Sequence, residues 1–93
     1  TSQVINLDIA AGGCAIACAA NAGSPMGASS VYGWTNLTEA FDTWDESPYT
    51  LGTAAGAGFT SAQSGLAITA AITGNTGMGA GRNSMAGASW GPA

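Results

Sequence analysis

The clearest pattern in the chain is a strict alternation of apolar and polar residues over residues 3–10. Aliphatic side chains fall on one face of an extended backbone and polar side chains on the other: Ile5, Leu7 and Ile9 against Asn6 and Asp8. A period of two residues is typical of a half-buried β-strand. Gly12 and Gly13 follow, and paired glycines supply the positive φ that tight turns require. The pattern therefore predicts a β-hairpin that joins this strand to a second strand over residues 14–20.

The second predicted strand has small apolar side chains on both faces. Cys14, Ile16 and Cys18 alternate with alanines over residues 14–20. A strand that is apolar on both sides is typical of the centre of a sheet that is covered on both faces. We therefore expect this strand to be central and packed on both sides.

The same reading predicts further short strands separated by glycine-rich segments. They cover residues 31–37, 37–44, 49–53, 66–73 and 83–90, whereas residues 54–58 read as an alanine-glycine loop. As a strand, the segment 37–44 would place Leu37, Glu39 and Phe41 on one face; it is also compatible with a single helical turn, because its alternation is imperfect, and we favour the strand. Long helices are disfavoured, since each interior glycine costs ~1 kcal/mol relative to alanine. The sequence thus predicts an all-β protein, a small antiparallel β-sandwich or jelly-roll-like fold with Gly/Ala-rich loops.

The 93 residues suffice for one small domain, which we expect to span residues 1–93. Small strand residues bury little apolar area, so such a core is thin for a domain of this size. The chain therefore reads either as a whole domain or as a portion that a partner chain completes.

Charge is scarce throughout the sequence. Only 6% of the residues are charged and Arg82 is the single basic one, giving a net charge of −4. Ordinary soluble proteins carry roughly 25% charged residues. Nucleic acids and anionic membrane surfaces are bound through several Lys or Arg side chains, so neither is an expected partner. Two readings remain: a soluble monomer whose surface is rich in Thr and Ser, and a subunit whose surface is largely covered by neighbouring chains, which we favour.

Two cysteines, Cys14 and Cys18, are four residues apart. On one face of a strand they would lie ~13 Å apart, which is too far for a disulfide. The sequence has no histidine and no other cysteine, so zinc is not an expected cofactor. We predict free thiols that serve as small buried apolar residues, and free thiols favour folding in a reducing cytoplasm.

An acidic cluster holds four of the five carboxylates: Glu39, Asp42, Asp45 and Glu46. Three interpretations are open. The cluster is a solvated turn, or a Ca²⁺ site built from carboxylate oxygens, or an acid and base pair of a glycosidase. The spacing matches no EF-hand loop, and without a recognisable cleft the solvated turn is favoured. No cofactor is required by any of the residues.

The aromatic residues interleave with these acids and recur at the end of the chain, as Tyr32, Trp34, Trp44, Tyr49 and Trp90. Exposed on one face, they would form a platform on which sugar rings stack. Packed inward or against a neighbour, they would supply the large apolar area that alanine does not. We favour core or subunit contact, and take Tyr32, Trp34, Trp44 and Trp90 as the candidate interface residues.

Three segments carry a resemblance to a known group of proteins. They are I-N-L-D-I-A-A-G-G-C-A-I-A-C-A, then G-L-A-I-T-A-A-I-T-G, and finally N-S-M-A-G-A-S-W-G-P-A, with Gly33-Trp34-Thr35-Asn36-Leu37 as a G-W-T-x-L-type strand between them. The chain resembles the C-terminal part of small β-sandwich domains in structural proteins of bacteriophages and prophages. It departs from them in lacking the strands that usually come first.

The resemblance implies a virion component such as a capsid decoration, head-spike or tail-associated protein, assembled in the cytoplasm of a bacterial host. Such a subunit is expected to pack against other copies of itself or against a coat protein. It implies no enzymatic role, which agrees with the absence of histidine and lysine. The alternative from another class is a receptor- or glycan-binding module of a phage fibre or bacterial surface protein, acting through the aromatic and acidic residues.

Overall fold

The computed structural model describes residues 2–22, 31–45, 50–73 and 82–92. These residues form seven β-strands: β1 (Ser2–Ile9), β2 (Cys14–Ala22), β3 (Val31–Thr35), β4 (Thr38–Asp45), β5 (Thr50–Gly58), β6 (Gln63–Thr73) and β7 (Arg82–Trp90). The described part of the chain contains no helix. The predicted all-β fold is therefore confirmed.

The strands form two antiparallel sheets that pack face to face as a β-sandwich. The three-stranded sheet has the order β1-β6-β3, and the four-stranded sheet has the order β4-β5-β2-β7. Five of the six connections between successive strands pass from one sheet to the other, and only β4 and β5 are joined within a sheet. Strands that pair are therefore mostly distant along the chain.

The predicted hairpin between β1 and β2 is wrong. β1 pairs with β6, and β2 lies in the other sheet between β5 and β7. The turn at Gly12, where φ is 77°, carries the chain across the sandwich. It is held by hydrogen bonds with the β5–β6 connection, from Gly12 N to Phe59 O (2.8 Å) and from Phe59 N to Gly13 O (2.9 Å). A Gly-Gly turn can form a hairpin within one sheet or a connection between two sheets. The second is found here, because β2 pairs over nine residues with β5 on one side and with β7 on the other.

The segment 54–58, expected to be a loop, is the second half of β5. Its register with β2 is unbroken, from Cys14 opposite Gly58 to Ala22 opposite Thr50. β5 is an inner strand whose backbone groups are paired on both sides. Since a buried backbone group without a partner is costly, these two ladders outweigh the weak strand propensity of alanine and glycine.

The segment 37–44 is a strand, as favoured over the helical turn, and β3 and β4 are separated by Asn36 and Leu37. Asn36 has φ 72°, and its side-chain amide donates to the Ala67 carbonyl at 2.7 Å. A bulge between Glu39 and Phe41 then shifts the register of β4. Leu37 is consequently buried while Phe41 is 55% exposed, so the predicted common face of Leu37, Glu39 and Phe41 is wrong.

The core combines alanines, most of them from the four-stranded sheet, with a few larger side chains. Ala15, Ala17 and Ala55 pack in one cluster with Ile9, Leu37 and Ile68. A second cluster joins Ala19 and Leu51 to Tyr32 and Ala70. Alanine at the inner positions lets the sheets approach closely, so the few large residues fill the space between them. The core is accordingly narrow, as the composition predicts.

Candidate contact surface

The outward side of the four-stranded sheet is uncovered in the described part of the chain. On β2, the inward residues Ala15, Ala17 and Ala19 are at most 5% exposed, whereas Ile16 is 54% exposed and Cys18 is also exposed. The expectation that β2 is central is confirmed. The expectation that both of its faces are packed, with both cysteines buried, is wrong within this single chain.

The strand registers align the outward residues into rows across the sheet, and the side chains of four of these rows are described. These four rows together are what we call the outer face; the side chains of the next row, residues 45, 50, 22 and 82, lie outside the described part of the molecule. From β4 to β7 the rows are Gly58–Cys14–Trp90, Thr38–Gly56–Ile16–Ala88, Phe41–Ala54–Cys18–Ala86 and Thr43–Gly52–Ala20–Ser84. The first row has no member on β4, because that strand begins at Thr38.

The outer face consists of a few bulky residues standing above a floor of alanine and glycine. Phe41, Ile16 and Trp90 are each more than half exposed. A groove of about 420 Å³ runs beside Phe41, over Cys18 and Ala54 among others. A second groove of about 310 Å³ lies between Ile16 and Trp90. None of the four rows contains a charged residue, so the outer face offers shape and apolar area rather than ionic contacts.

Its area can be worked from strand geometry. Four strands ~4.8 Å apart span ~19 Å, and four rows of ~6.6 Å each span ~26 Å, which gives ~500 Å². The largest apolar patch on an ordinary monomer is roughly 300–600 Å² and is often functional. A patch of this size on a chain of only 93 residues is what marks the outer face as the candidate site.

The four candidate aromatic residues are divided between the interior and the surface. Tyr32 is 4% exposed and belongs to the core. Trp34 packs against both core clusters, and its Nε1 donates to Thr53 Oγ1 at 2.9 Å. Tyr32 and Trp34 therefore act as core residues, not as surface contacts. Trp90 stands on the outer face, and the side chain of Trp44 lies outside the described part of the molecule, as does Tyr49.

Two of the four clustered acids come together at β4. Partial burial raises the pKa of the Glu39 carboxyl, and the neighbouring Asp42 carboxylate raises it further by repulsion and by a side-chain hydrogen bond. Asp42 Oδ2 also accepts the backbone N–H of Tyr32 at 2.9 Å. Asp42 therefore links β3 to β4 through this hydrogen bond. The sequence had predicted a solvated turn or a ligand site for this carboxylate, whereas it has a structural role.

The cluster is not a built cation site as far as the structure describes it. The side chain of Asp45 and all of Glu46 lie outside the described residues. Among the residues described, no group of three His, Cys, Asp or Glu side chains is placed to hold a metal ion. Ca²⁺ requires six to eight oxygen ligands, and Glu39 with Asp42 supplies only part of such a set.

Tyr32 and Asp42 also share a buried polar region. The Tyr32 hydroxyl and Asp42 Oδ1 are buried and have no hydrogen-bond partner among the described residues. Burial raises the pKa of Tyr32 to about 12, and the negative charge of Asp42 adds to the effect. Inside the sandwich this phenol therefore keeps its proton to a higher pH than a solvent-exposed tyrosine does.

Phe41 and Ile16 are the surface residues that sequence reasoning missed. Phe41 was assigned to the wrong face because the bulge in β4 is not encoded by alternation. Ile16 was assigned to a buried face because both sides of β2 are apolar. The scarcity of charge was the one available signal, since it already indicated that some surface of the chain is covered by another.

Comparison with known proteins finds no matching family model, no matching curated protein and no matching solved structure. Among the described residues, no helix has the length and apolar character needed to cross a membrane.

Proposed function

We propose that this protein is a non-enzymatic structural subunit that works by packing against other subunits through its outer face. The observation that carries the proposal is the outer face itself, a surface of ~500 Å² made mostly of apolar and small residues, without a charged residue in its four rows. Surface patches of this size are often functional. Because only 6% of the residues are charged, the chain has little charge repulsion to prevent other subunits from associating with this surface.

Catalysis receives little support from the residues present. The sequence contains neither histidine nor lysine, the side chains that most often activate a nucleophile or transfer a proton near neutral pH. The two carboxyls that meet, Glu39 and Asp42, border a strand junction in which one carboxylate oxygen is occupied by a backbone N–H. We therefore assign these groups to the fold.

The glycan-binding alternative is also less well supported. A sugar platform needs aromatic rings open to solvent on one surface. Two of its candidate residues, Tyr32 and Trp34, are instead packed in the interior, and the Trp34 indole N–H is engaged by Thr53. The exposed rings of the outer face, Phe41 and Trp90, lie on opposite edge strands of the sheet rather than side by side.

The setting we propose is a bacteriophage virion, with the chain as a capsid decoration, head-spike or tail-associated protein. The support is the sequence resemblance in the N-terminal strands and in the two final strands. Virions are built from repeated copies, which provides a covering partner for every outer face. Cys14 and Cys18 are free thiols, as suits assembly in the cytoplasm of a bacterial host.

The test is whether the chain is a component of particles. Particles from a producing culture would be separated on a density gradient, and each fraction would be analysed by mass spectrometry. We expect the chain to co-sediment with the coat proteins at a fixed ratio. Its absence from particles would contradict the proposal.

Variants locate the contact. Ile16→Lys places a charge on the outer face and should abolish incorporation. Val4→Lys places the same charge on β1 of the other sheet, at a residue that is equally exposed (54% for both), and should be incorporated normally. Equal incorporation of the two variants would show that the outer face is not the contact.

A further inference from the structure

We propose that the outer face is covered by the outer face of a second copy of this chain, in a two-fold dimer whose axis runs parallel to the strands. The inference rests on the proposed structural function and names its partner. It is carried by the shape of the outer face, by its lack of charge and by its area.

The shape argument follows from the register. The axis lies between the two facing sheets, midway between β5 and β2 and parallel to them. Rotation about it places β2 of one copy opposite β5 of the other, and β4 opposite β7. Each row of one outer face then lies opposite the same row of the other. Ile16 then faces Gly56 of the second copy. Phe41 faces Ala86 of the second copy. Each bulky side chain meets a position on the floor, which is how facing sheets interdigitate at ~10 Å separation.

Trp90 obeys the same rule. It stands in the first row on β7, so it faces the first-row position of β4 in the second copy. β4 begins one row later, at Thr38, and leaves that position free of an outward strand residue. The widest side chain of the outer face therefore falls where the opposing sheet is shortest.

The other in-plane two-fold axis, perpendicular to the strands, fits less well. It lays each strand over the same strand of the second copy and inverts the order of the rows, so that Phe41 faces Thr38 and Ala86 faces Ala88. Trp90 would then meet Ser84 of the second copy, while Thr43 would face the first-row position that β4 leaves open, with a void between them. Voids of this kind lose the close packing that stabilises an interface.

Charge favours a second copy over a partner of opposite charge. The chain carries a net charge of −4, yet the four rows contain no acidic residue, so two copies can meet there without repulsion between carboxylates. A basic partner would find no complementary charge on this surface.

The area is sufficient for a dimer that dissociates on dilution. Two outer faces of ~500 Å² bury ~1,000 Å² in total, which is the lower limit for a specific interface. We expect self-association that is measurable in the micromolar range rather than an obligate dimer.

The experiment exchanges Phe41 with Ala86, the small residue that Phe41 faces on the second copy. Sedimentation velocity of the full chain in reducing buffer, from about 1 µM to about 500 µM, should show a monomer–dimer equilibrium. Ala86→Phe alone places two rings opposite each other and should raise the dimer Kd about tenfold or more. Phe41→Ala alone should also weaken the dimer.

The double variant Phe41→Ala/Ala86→Phe moves the ring to the opposite margin of the same row and should restore a Kd within about threefold of the original. Phe41 and Ala86 are ~14 Å apart within one copy, across three strand spacings, so the compensation cannot arise inside a monomer. Reaction of the Cys18 thiol with a maleimide, in a Cys14→Ala background, gives a second readout. The reaction should slow as the protein concentration rises.

A chain that stays monomeric over this range, a larger assembly, a dimer indifferent to Ile16→Lys, or a double variant that does not recover would each overturn the two-fold dimer. Circular dichroism of every variant separates loss of association from loss of folding. Particle incorporation is scored independently, so a monomeric chain that still enters particles would refute the dimer while leaving the structural function in place.

Discussion

The Thr53 hydroxyl is one of the side-chain groups that join the two sheets, and it also bonds to the neighbouring strand of its own sheet. Thr53 lies on β5 and is 4% exposed. Its Oγ1 accepts the indole N–H of Trp34 on β3 at 2.9 Å and donates to the Phe41 carbonyl on β4 at 3.0 Å. Replacing Thr53 with valine keeps the shape and removes both bonds.

The expected cost can be worked from those contacts. A buried donor left without a partner costs about 1–3 kcal/mol. Trp34 is only partly buried, so water reaches some of its surroundings and the lower part of that range applies, about 1–2 kcal/mol. In a domain of this size the melting temperature should fall by roughly 4–8 °C per kcal/mol. Thr53→Ser, the matched control, keeps both hydrogen bonds and should cost only ~0.8 kcal/mol for the lost methyl group.

A double-mutant cycle with Trp34→Phe isolates the bond from the packing changes. Thr53→Val should cost about 1 kcal/mol less when Trp34 has already been replaced, because the donor is then absent. The free energy of unfolding would be measured by urea denaturation with far-UV circular dichroism, at one protein concentration for all four proteins, since association adds to stability. A coupling energy below about 0.3 kcal/mol would refute the role of the hydroxyl.

Three further predictions concern the turns and the buried phenol. Gly13→Ala should destabilise the protein by about 2–3 kcal/mol, because its Cβ would lie 2.9 Å from the Ala10 carbonyl oxygen and closer still to the Trp90 carbonyl oxygen. The control is Gly33→Ala, whose Cβ would have no atom within 4 Å and which should be neutral or slightly stabilising in the same urea titration. Asn36→Ala should cost about 1–2 kcal/mol at its φ of 72°, whereas Asn36→Gly, which tolerates that φ, should cost less than half as much. The pKa of Tyr32 is raised from 10.0 to about 12 in the folded state, so the folded protein holds this proton where the unfolded chain has released it. Stability should therefore be intact below pH 10 and decline as pH rises from 10 towards 12, by up to about 1.4 kcal/mol per pH unit. Tyr32→Phe should remove this decline, and an identical alkaline profile in the variant would contradict the assignment.

Local patterns were sufficient for much of the fold. The alternations in β1 and in the second half of β6 identified strands whose aliphatic residues face the core, with Ile9 and Ile68 fully buried. They could not identify pairing partners. A Gly-Gly turn serves a hairpin within a sheet and a connection between sheets equally well, and the choice depends on residues about 60 positions away, such as Ile68 opposite Ile5.

The half of β5 built from alanine and glycine shows the same limit. Propensity indicated a loop over residues 54–58, but the ladders of two neighbouring strands hold that segment extended. Gly65, with φ 62°, likewise forms a bulge against β1 in which its N–H donates to Asp8 Oδ1 at 2.7 Å, and no alternation marks such a bulge in advance.

The candidate site was predictable only as a property of the whole chain. Low charge indicated a covered surface, but the residues that form it depend on which side of β2 faces inward. Alanine fits between the sheets at 15, 17 and 19, whereas Ile16 does not, and this selection follows from the separation of the sheets. Among the predicted contact residues whose side chains the structure describes, Trp90 is the one on the outer face.

The frequent passage of the chain between the two sheets has a consequence for how the protein reaches its native state. β2 is completed on one side by β5 and on the other by β7, whose last residue, Trp90, pairs with Cys14 at the start of β2. During synthesis this edge of β2 therefore stays unpaired until residues 82–90 have been made. Loop-closure entropy makes such distant pairing slow, on the scale of milliseconds to seconds. A nascent chain with an unpaired strand edge and exposed apolar side chains is prone to aggregate and is bound by chaperones. Rapid binding to other subunits would shorten the time for which this edge is exposed.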